Sequence, residues 1–341
     1  MFKQCFALLV VLSIFVIIFV NINRDVSVCY YDQEWNDGKT LENVVENLKL
    51  RSYDSPKNIF FHETSCSHSG IVALNSRQAC AIESAANMNP GHEVFVLFTS
   101  QVGFRNTTHM PIVDAILSYK NVHFNYLNLT QYAEHTPLAE WIKTGELFRS
   151  SYVNSHTSDV LRYLSLWKYS GTYLDLDIVC LKSLNVLKPN FAAAESDTHV
   201  AAGIINLEDE SGHEISDLLV KDLLKNFNGK DWGNNGPGVI TRTLKKICNT
   251  EEIKKMISSN ACRNFRVLPI ESCYSIRWPE WCKFFKPQFL SETMERLNTS
   301  IIAHVWNKHS VKEPLTTDSN VAYIELAKKH CPRVFMASEF F

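Results

Sequence analysis

Gly171-Thr172-Tyr173-Leu174-Asp175-Leu176-Asp177 is the stretch that decides how this sequence is interpreted. On an extended backbone, positions i and i+2 point to the same face, so Asp175 and Asp177 are expected to converge while Leu176 turns inward. Two neighbouring carboxylates repel each other unless a cation or a proton neutralises them. Oxygen-rich sites suit magnesium or manganese that also carries a phosphate. The pair therefore predicts a divalent metal site, although a solvated Asp-x-Asp turn would have the same sequence.

The composition is that of a globular protein with one large domain or two ordinary ones. The chain has 341 residues, of which 45% are hydrophobic, and this is enough to bury a full core. Its 34 Lys and Arg nearly balance its 36 Asp and Glu, giving a formal net charge of -2. No global attraction to nucleic acid or acidic lipid follows from this charge, so no nucleic-acid partner is expected.

The N-terminus carries an almost uninterrupted apolar run from Cys5 to Val20, preceded by Lys3. Positive charge before the run favours a cytoplasmic N-terminus. With its flanks, the run reaches roughly the thickness of a thin internal bilayer. We expect a cytoplasmic tail over residues 1–4 and a transmembrane signal-anchor over 5–22. A cleaved signal peptide is the alternative, and both place the body of the protein outside the cytosol.

Cysteines and glycosylation signals agree with a secretory compartment. The 10 cysteines contain no Cys-x-x-Cys pair, which favours structural disulfides over a zinc knuckle or a redox dithiol. Cys66 with Cys80, and Cys248 with Cys262, are the first candidates for pairing. The number of cysteines outside the apolar run is odd, so one thiol is left unpaired or bridges to another chain. Acceptor sequons for N-glycosylation begin at Asn106, Asn128 and Asn298.

Strands and helices alternate from Asn58 onward, after a polar segment over 23–57 that we interpret as a stem. Strands are expected at 59–61, 94–98 and 122–127, and helices at 76–89, 111–119 and 158–169, the last capped by Thr157 or Ser158. Further expected elements are an apolar, strand-forming stretch over 191–205 and helices over 213–227, 239–247 and 320–329. This alternation predicts an α/β fold with a mostly parallel sheet flanked by helices. In such sheets ligands bind at the carboxyl ends of the strands.

Five sequence motifs occur in one order along this body. They are Ile59-Phe60-Phe61-His62-Glu63-Thr64-Ser65, Ser158-Asp159-x-x-Arg162, the stretch quoted first, Trp232-Gly233-x-x-Gly236-Pro237, and His304-Val305-Trp306-Asn307-Lys308. With these motifs the chain resembles the alpha-1,4-glycosyltransferases of the lactosylceramide 4-alpha-galactosyltransferase type. The resemblance extends from about Asn58 to the C-terminus.

The resemblance implies a catalytic domain over 58–341 with a glycosyltransferase A-type nucleotide-binding fold. It implies a retaining, Mn²⁺-dependent transfer of galactose or N-acetylgalactosamine from UDP-galactose or UDP-N-acetylgalactosamine. The new linkage would be alpha-1,4, to a galactose- or GalNAc-terminated glycolipid. The implied location is the Golgi membrane, as a single-pass type II protein with a luminal catalytic domain, and homo- or hetero-oligomers stay open.

The acidic pair and the last motif supply the expected metal and diphosphate ligands. A departing UDP develops negative charge, so the site needs a cation that strengthens its hold as the bond breaks. By resemblance, Asp177 binds the metal directly and Asp175 binds the metal or the donor ribose. His304 is the candidate third ligand, and Lys308 offers a point charge for the diphosphate. The alternatives are a hydrogen-bonded histidine at a strand end and a lysine on a solvated turn.

The other motifs supply candidate donor-binding and catalytic residues. Asp159 and Arg162 share one helix face at i, i+3; they form either a structural ion pair or, by resemblance, contacts to the donor sugar and diphosphate. Glu63 and Thr64 end the first strand, where the base or ribose of the nucleotide would lie. Asn235 lies in a Gly/Asn loop that opens a helix. It is the candidate for an amide beside the reacting carbon, although relatives often carry Gln there.

Two other classes of function remain open at this stage. Asp175-Leu176-Asp177-Ile178-Val179 also fits the Asp-x-Asp-x-Val signature of haloacid-dehalogenase-type phosphatases, with Asp175 as nucleophile and Asp177 as acid/base. Those enzymes need a downstream acidic pair for magnesium, and Asp209-Glu210 is the nearest match. The third class is a non-catalytic luminal lectin that keeps the fold.

Overall fold

The structure of the protein is a computed structural model that describes residues 29–30, 39–48, 57–104, 109–258 and 262–341. The strands in this described part are β1 (Lys39–Thr40), β2 (Lys57–Glu63), β3 (His92–Phe98), β4 (Gly103–Phe104), β5 (Val122–Tyr126), β6 (Gly171–Leu174), β7 (Ile178–Cys180), β8 (Phe191–Ala194), β9 (Val200–Leu207), β10 (Arg266–Leu268) and β11 (Ile302–His304).

The helices of the described part are more numerous than the strands, and the longest of them have 17 residues. They are α1 (Val44–Asn47), α2 (Ser76–Met88), α3 (Pro111–Leu117), α4 (Leu129–Ala133), α5 (Ala139–Lys143), α6 (Val153–Tyr169), α7 (Glu210–Asn226), α8 (Pro237–Ile247), α9 (Ile253–Ile257), α10 (Ile270–Cys273), α11 (Leu290–Leu297), α12 (Asn307–Ser310), α13 (Ala322–His330) and α14 (Pro332–Ala337). Short 3₁₀ helices occur at Glu146–Arg149, Leu184–Val186, Trp278–Phe284 and Pro287–Phe289.

A seven-stranded sheet forms the centre, in the order β10-β8-β9-β6-β2-β3-β5. Strands β6, β2, β3 and β5 run parallel, as do β10 and β8, whereas β9 is antiparallel to both of its neighbours. The predicted mostly parallel α/β sheet is thus confirmed, with β9 making it mixed. A separate antiparallel pair, β7–β11, stands beside the end of β6.

Helix α6 shows how local sequence directs the chain toward the sheet edge. It packs on β2 and β6 and begins at Val153, so the predicted start at Thr157 or Ser158 is wrong. The Ser158 hydroxyl does not cap the helix but lies 2.9 Å from the Tyr173 hydroxyl. The helix ends where Gly171 adopts a φ of 109°. A Cβ at Gly171 would collide with the backbone oxygen of Asn58, so only glycine allows β6 to start against β2.

One expectation about local structure is wrong, and the structure adds detail to two others. Asp175 to Asp177 is a turn rather than an extended segment, because the N–H of Ile178 donates to the Asp175 carbonyl at 3.1 Å. The stretch over 191–205 is an antiparallel hairpin of β8 and β9. Helix α13 is followed by a further helix, α14, which Pro332 opens at its first turn, a position where proline costs no hydrogen bond.

The disulfides confirm one predicted pair and correct the other. Cys248 is bonded to Cys262, as predicted. Cys66 is bonded not to Cys80 but to Cys29 in the N-terminal part. Cys80, on α2, is bonded to Cys331 between α13 and α14 because both of those helices pack on α2. Within the described residues the free cysteines are Cys180, Cys273 and Cys282.

Part of the predicted stem packs on the body. Strand β1 pairs with β4, and the side chains of Leu41, Val44 and Leu48 are buried in the main core. Their burial explains the apolar spacing that the sequence shows in this segment. The predicted tail and signal-anchor, 1–4 and 5–22, lie outside the described residues. Among the residues that are described, no helix combines the length and apolar character needed to span a bilayer.

Candidate active site

The candidate site lies at the carboxyl end of β6, where the chain turns into β7. Asp175 directly follows β6, and its backbone N–H donates to the carbonyl of Gly203 on β9 at 2.9 Å. Ile178 is paired with His304 in the β7–β11 ladder. This pairing places His304 beside the turn formed by Asp175 to Asp177 although the two segments are far apart in the sequence.

Asp175, Asp177 and His304 form a compact group whose ligand atoms all lie within 4.8 Å of one another. Nε2 of His304 is 3.2 Å from Oδ1 of Asp177 and 3.6 Å from Oδ2 of Asp175. The other oxygen of Asp177 accepts a hydrogen bond from the backbone N–H of Asn307 at 2.8 Å. A Cβ on Gly203 would approach Oδ2 of Asp175 to 2.9 Å, so glycine keeps this carboxylate uncrowded. Two carboxylates and one imidazole are donors that suit a divalent ion such as Mn²⁺.

Burial and mutual charge control the protonation of this group. Burial opposes ionisation of Asp175, but Arg162 outweighs it, together with His304 and Tyr173, and lowers its pKa to about 2. Burial raises the pKa of Asp177. Burial alone would lower the pKa of His304, but the charges of Asp177 and Asp175 raise it. Because a metal needs the neutral imidazole and the acids raise the pKa of His304, protons compete with a metal for this group.

An ion pair on α6 contacts the turn formed by Asp175 to Asp177, which we call the acidic turn. Nη2 of Arg162 is 2.9 Å from Oδ1 of Asp159, and Nη1 is 3.4 Å from Oδ1 of Asp175. Nη1 also donates to the carbonyl of Ala202 at 2.7 Å. Burial raises the pKa of Asp159 to about 7 even though Arg162 opposes this. Asp159 and Arg162 form an ion pair with each other and also line the cleft. This geometry is compatible with a structural ion pair and with contacts to a donor.

These side chains line one open cleft of about 810 Å³, a size that suits a small-molecule ligand. The structure brings eight of the nine predicted site residues to this cleft. They are Glu63, Thr64, Asp159, Arg162, Asp175, Asp177, His304 and Lys308.

Glu63 and Thr64 shape the cleft wall at the end of β2. One carboxylate oxygen of Glu63 accepts from the backbone N–H of Ser65 at 2.7 Å, and the other accepts from the Gln78 side-chain amide. The Thr64 hydroxyl donates to the carbonyl of Asn154 at 2.9 Å. Both side chains therefore hold the wall in place, and their contact with a nucleotide stays a prediction.

Lys308 brings a positive charge to the same cleft. Its Nζ lies 3.2 Å from the centroid of the Trp232 ring, which is a favourable position for a cation over an aromatic face. Burial lowers its pKa. No carboxylate of the described residues pairs with Nζ, so this charge can meet an anionic ligand.

The structure does not bring Asn235 to the cleft. Its side chain is fully buried, with the amide oxygen accepting from the N–H of Asn228 at 2.9 Å and the amide nitrogen donating to the Asn228 carbonyl at 2.9 Å. Both hydrogen-bonding ends of the amide are used within the loop. The neighbouring Gly236 approaches Asp159 so closely that a Cβ would collide with that carboxylate. The loop therefore shapes the cleft through Trp232 and Pro237, which line it, and through Gly236 beside Asp159, rather than through the Asn235 side chain.

The sequence did not identify Gly203, Glu195 and Tyr274 as residues of the cleft. They come from the β8–β9 hairpin and from the end of α10, and all three line the cleft beside His304. None belongs to a spaced pair or motif. Only the antiparallel insertion of β9 next to β6 carries Gly203 and Glu195 to this place, and that pairing has no local sequence signal.

The acidic pair that a phosphatase of the haloacid-dehalogenase type would need lies elsewhere. Asp209 caps the N-terminus of α7, accepting a hydrogen bond from the N–H of Gly212 at 2.9 Å. Glu210 lies in the first turn of the same helix. Neither residue lines the cleft, so the geometry gives no support to phosphatase chemistry.

Comparison with known proteins agrees with the site. Residues 208–338 match the alpha 1,4-glycosyltransferase conserved region, and residues 75–193 match the glycosyltransferase sugar-binding region containing a DXD motif. The chain is 34% identical over 297 residues to lactosylceramide 4-alpha-galactosyltransferase of Mus musculus, with 86% of this chain and 79% of that protein covered. The chain belongs to the alpha-1,4-glycosyltransferase family. It is therefore an enzyme, a glycosyltransferase, and the lectin alternative is set aside.

Two further known proteins are similar to this chain. Human alpha-1,4-N-acetylglucosaminyltransferase is 26% identical over 279 residues, covering 78% of this chain and 79% of that protein. A solved structure of the galactosyltransferase LgtC with donor and acceptor sugar analogues covers 81% of this chain and 95% of its own, with 13% sequence identity and a TM-score of 0.40.

Proposed function

We propose that this glycosyltransferase transfers galactose or N-acetylgalactosamine from a UDP-sugar, with retention, to a galactose- or GalNAc-terminated glycolipid in alpha-1,4 linkage. The single observation that carries the proposal is the convergence of Asp175, Asp177 and His304 in a cleft that also contains Lys308. A nucleotide-sugar diphosphate requires these two kinds of group, a chelated cation and a free positive charge.

Asp175, Asp177 and His304 would hold the divalent ion, which we take to be Mn²⁺. Such an ion supplies positive charge to the departing diphosphate when it is bound. Other residues of the chain position and ionise these carboxylates. The backbone N–H of Asn307 fixes one oxygen of Asp177, and Arg162 keeps Asp175 ionised.

The remaining predicted residues have roles on the donor side. Lys308 binds the diphosphate as a point charge, and its position over Trp232 keeps it inside the cleft. Asp159 and Arg162 act together, because the Arg162 guanidinium contacts Asp159, the Ala202 carbonyl and Asp175 in the acidic turn. We therefore assign Arg162 to positioning Asp175. Glu63 and Thr64 form the wall for the base and ribose, at the carboxyl end of β2.

We further propose the glycosyltransferase A-type fold for residues 58–341 and the Golgi membrane as the location. The support for the fold is the mixed sheet with its acidic turn at a strand's carboxyl end. The support for a luminal location is the presence of disulfides in the body. The name of the mouse relative supports a glycolipid acceptor. No sequence motif identifies a carboxylate as a covalent nucleophile. The mechanism of retention that we favour is therefore attack by the acceptor on the same face of the sugar, guided by the departing phosphate.

The test is a donor and acceptor screen with the purified full chain in detergent and Mn²⁺. UDP-galactose, UDP-N-acetylgalactosamine and UDP-N-acetylglucosamine are each offered with lactose-terminated and mannose-terminated glycolipids. We expect transfer from one of the first two donors to a lactose-terminated acceptor, with an alpha-1,4 linkage by NMR. Transfer from UDP-N-acetylglucosamine alone, or from none of the three donors with a folded protein, would refute the proposal.

Lys308→Gln and Lys312→Gln form a matched pair for the donor side of the same assay. Lys308→Gln should raise the donor KM by about tenfold, because a charge-assisted contact to phosphate contributes roughly 1.5 kcal/mol or more. Lys312 is exposed four residues later and does not line the cleft, so its variant should leave the KM unchanged. An equal effect of both variants would assign the loss to net charge rather than to Lys308.

A further inference from the structure

Tyr274 and Glu195 are polar side chains of the cleft whose polar groups have no partner among the described residues. The Tyr274 hydroxyl is buried and makes no hydrogen bond there. The Glu195 carboxylate, which is partly buried, forms no hydrogen bond or ion pair with another described side chain; its backbone N–H bonds to the His199 carbonyl. A buried hydroxyl without a partner costs free energy that a bound ligand can recover.

Both groups line the same cleft as the proposed metal ligands. The ring of Tyr274 is 5.6 Å from the ring of His304, centroid to centroid. The negative charge of Glu195 acts on both His304 and Tyr274. In the proposed function the metal ion and Lys308 bind the diphosphate of the UDP-sugar. Glu195 and Tyr274 are therefore available to bind the hexose that is attached to the diphosphate.

Gly203 provides the space in front of the Tyr274 hydroxyl. A Cβ at this position would lie 3.0 Å from the Tyr274 hydroxyl and 2.9 Å from Oδ2 of Asp175. The absent side chain leaves a gap that borders the phenol and the acidic turn. A phenol at the border of such a gap, in a cleft that Glu195 also lines, fits a sugar hydroxyl, which can accept from the phenol and donate to the carboxylate.

We propose that Glu195 and Tyr274 form a hydroxyl-binding subsite for the transferred hexose, placed next to the metal ligands through the gap at Gly203. The subsite rests on the proposed function, since it names how the same cleft recognises the sugar. Glu195 accepts a hydrogen bond from one hexose hydroxyl, and Tyr274 bonds to the same or the adjacent hydroxyl. The carboxylate is the stronger partner because a hydrogen bond to a charged group contributes more than one between neutral groups.

The test measures what the hexose adds to nucleotide binding, using calorimetry on the full chain with saturating Mn²⁺. The dissociation constants of UDP and of UDP-galactose are measured for the wild type, Glu195→Gln and Tyr274→Phe. Both substitutions keep the shape of the side chain, and thermal melting confirms that the variants fold. We expect UDP affinity to stay within about twofold, while UDP-galactose affinity falls about tenfold in Glu195→Gln and about threefold in Tyr274→Phe.

The outcomes separate the subsite from the proposed function. If UDP-galactose binding is unchanged in both variants, or if the wild type binds UDP and UDP-galactose equally, the subsite is refuted while transfer can still occur. If both variants lose UDP affinity as much as UDP-galactose affinity, the pair acts on the metal or nucleotide and the subsite is again refuted. If the wild type binds neither nucleotide with Mn²⁺, the proposed function itself fails, and the subsite with it.

Discussion

Gly203→Ala tests the geometry of the acidic turn with a single methyl group. The new Cβ would lie 2.9 Å from Oδ2 of Asp175, 3.0 Å from the Tyr274 hydroxyl and 3.2 Å from Cδ2 of His304. Ordinary carbon–oxygen contacts are several tenths of an ångström longer, so at least one of these groups must move. Gly203 itself is held in β9, and its carbonyl accepts the N–H of Asp175, so the strand cannot retreat without disturbing the same turn.

The cost of the methyl group should fall mainly on function. Overpacking of this kind costs roughly 1–3 kcal/mol, which lowers the melting temperature by about 2–4 °C per kcal/mol in a domain of this size. Misplacing a reacting constellation by up to an ångström costs on the order of 100-fold in rate. We therefore expect kcat/KM for sugar transfer to fall about 10- to 100-fold, with weaker Mn²⁺ activation, while the protein stays folded at assay temperature.

Gly91→Ala is the matched control for this substitution. A Cβ at Gly91 meets nothing within 4 Å, so the same change should leave transfer and melting temperature unaltered. The assay is transfer of labelled sugar over a Mn²⁺ titration, with differential scanning fluorimetry on each variant. Wild-type kinetics and Mn²⁺ dependence in Gly203→Ala would refute the claim that Asp175, Tyr274 and His304 converge on this point.

Three further predictions follow from buried groups outside the acidic turn. Arg77→Met should destabilise the fold by about 3 kcal/mol and raise the donor KM, because the buried guanidinium binds the Ser310 carbonyl at 2.7 Å just after Lys308; denaturant unfolding and donor kinetics check this, and an unchanged KM would contradict it. His330 has a pKa lowered by burial to about 4, so folding favours its neutral form. Its contribution to stability is full above the unfolded pKa of about 6.5 and is lost as pH falls toward 4. His330→Gln should reduce the pH dependence of the free energy of unfolding in urea over that range, and an unchanged pH dependence would count against this. Replacing the Cys80–Cys331 disulfide by two serines should lower stability by roughly 5 kcal/mol, because it closes a loop of 251 residues; an unfolding midpoint equal to wild type would disprove this.

Much of the fold could be predicted because its signals are local. Strand β2 reads as a short apolar run, and α2 has a capping box in which Asn75 and Gln78 each bond to the other's backbone. Helix α6 was placed too late because Ser158 looks like a cap, whereas its hydroxyl is used by Tyr173. A cap can be recognised from sequence only when no tertiary partner competes for the same side chain.

The site was predictable as far as its residues sit in spaced motifs. Asp175, Asp177, His304 and Lys308 do so, and the structure brings them to one cleft. Glu195 and Tyr274 carry no spacing signal, because they reach the cleft through the pairing of β9 with β6 and through α10. Non-local pairing of this kind depends on the whole sheet, and no window of sequence contains it.

The N-terminal part shows the same limit. Leu41, Val44 and Leu48 lie in the segment that was interpreted as a stem, but they pack into the core of the body. Cys29 is bonded to Cys66 at the end of the first strand motif. The surface that buries these side chains belongs to the body and could not be identified from the segment alone.

Manganese binding by wild type and Asp177→Asn, followed by electron paramagnetic resonance in the presence of UDP, tests the central claim most directly. The wild type should bind one Mn²⁺ per chain. Asp177→Asn should bind it at least about 100-fold more weakly with an unchanged melting temperature, because the Asn307 N–H can still bond the amide oxygen while the charged ligand is lost. An Asp177→Asn protein that binds Mn²⁺ as tightly as the wild type would contradict the assignment of Asp175, Asp177 and His304 as the metal site.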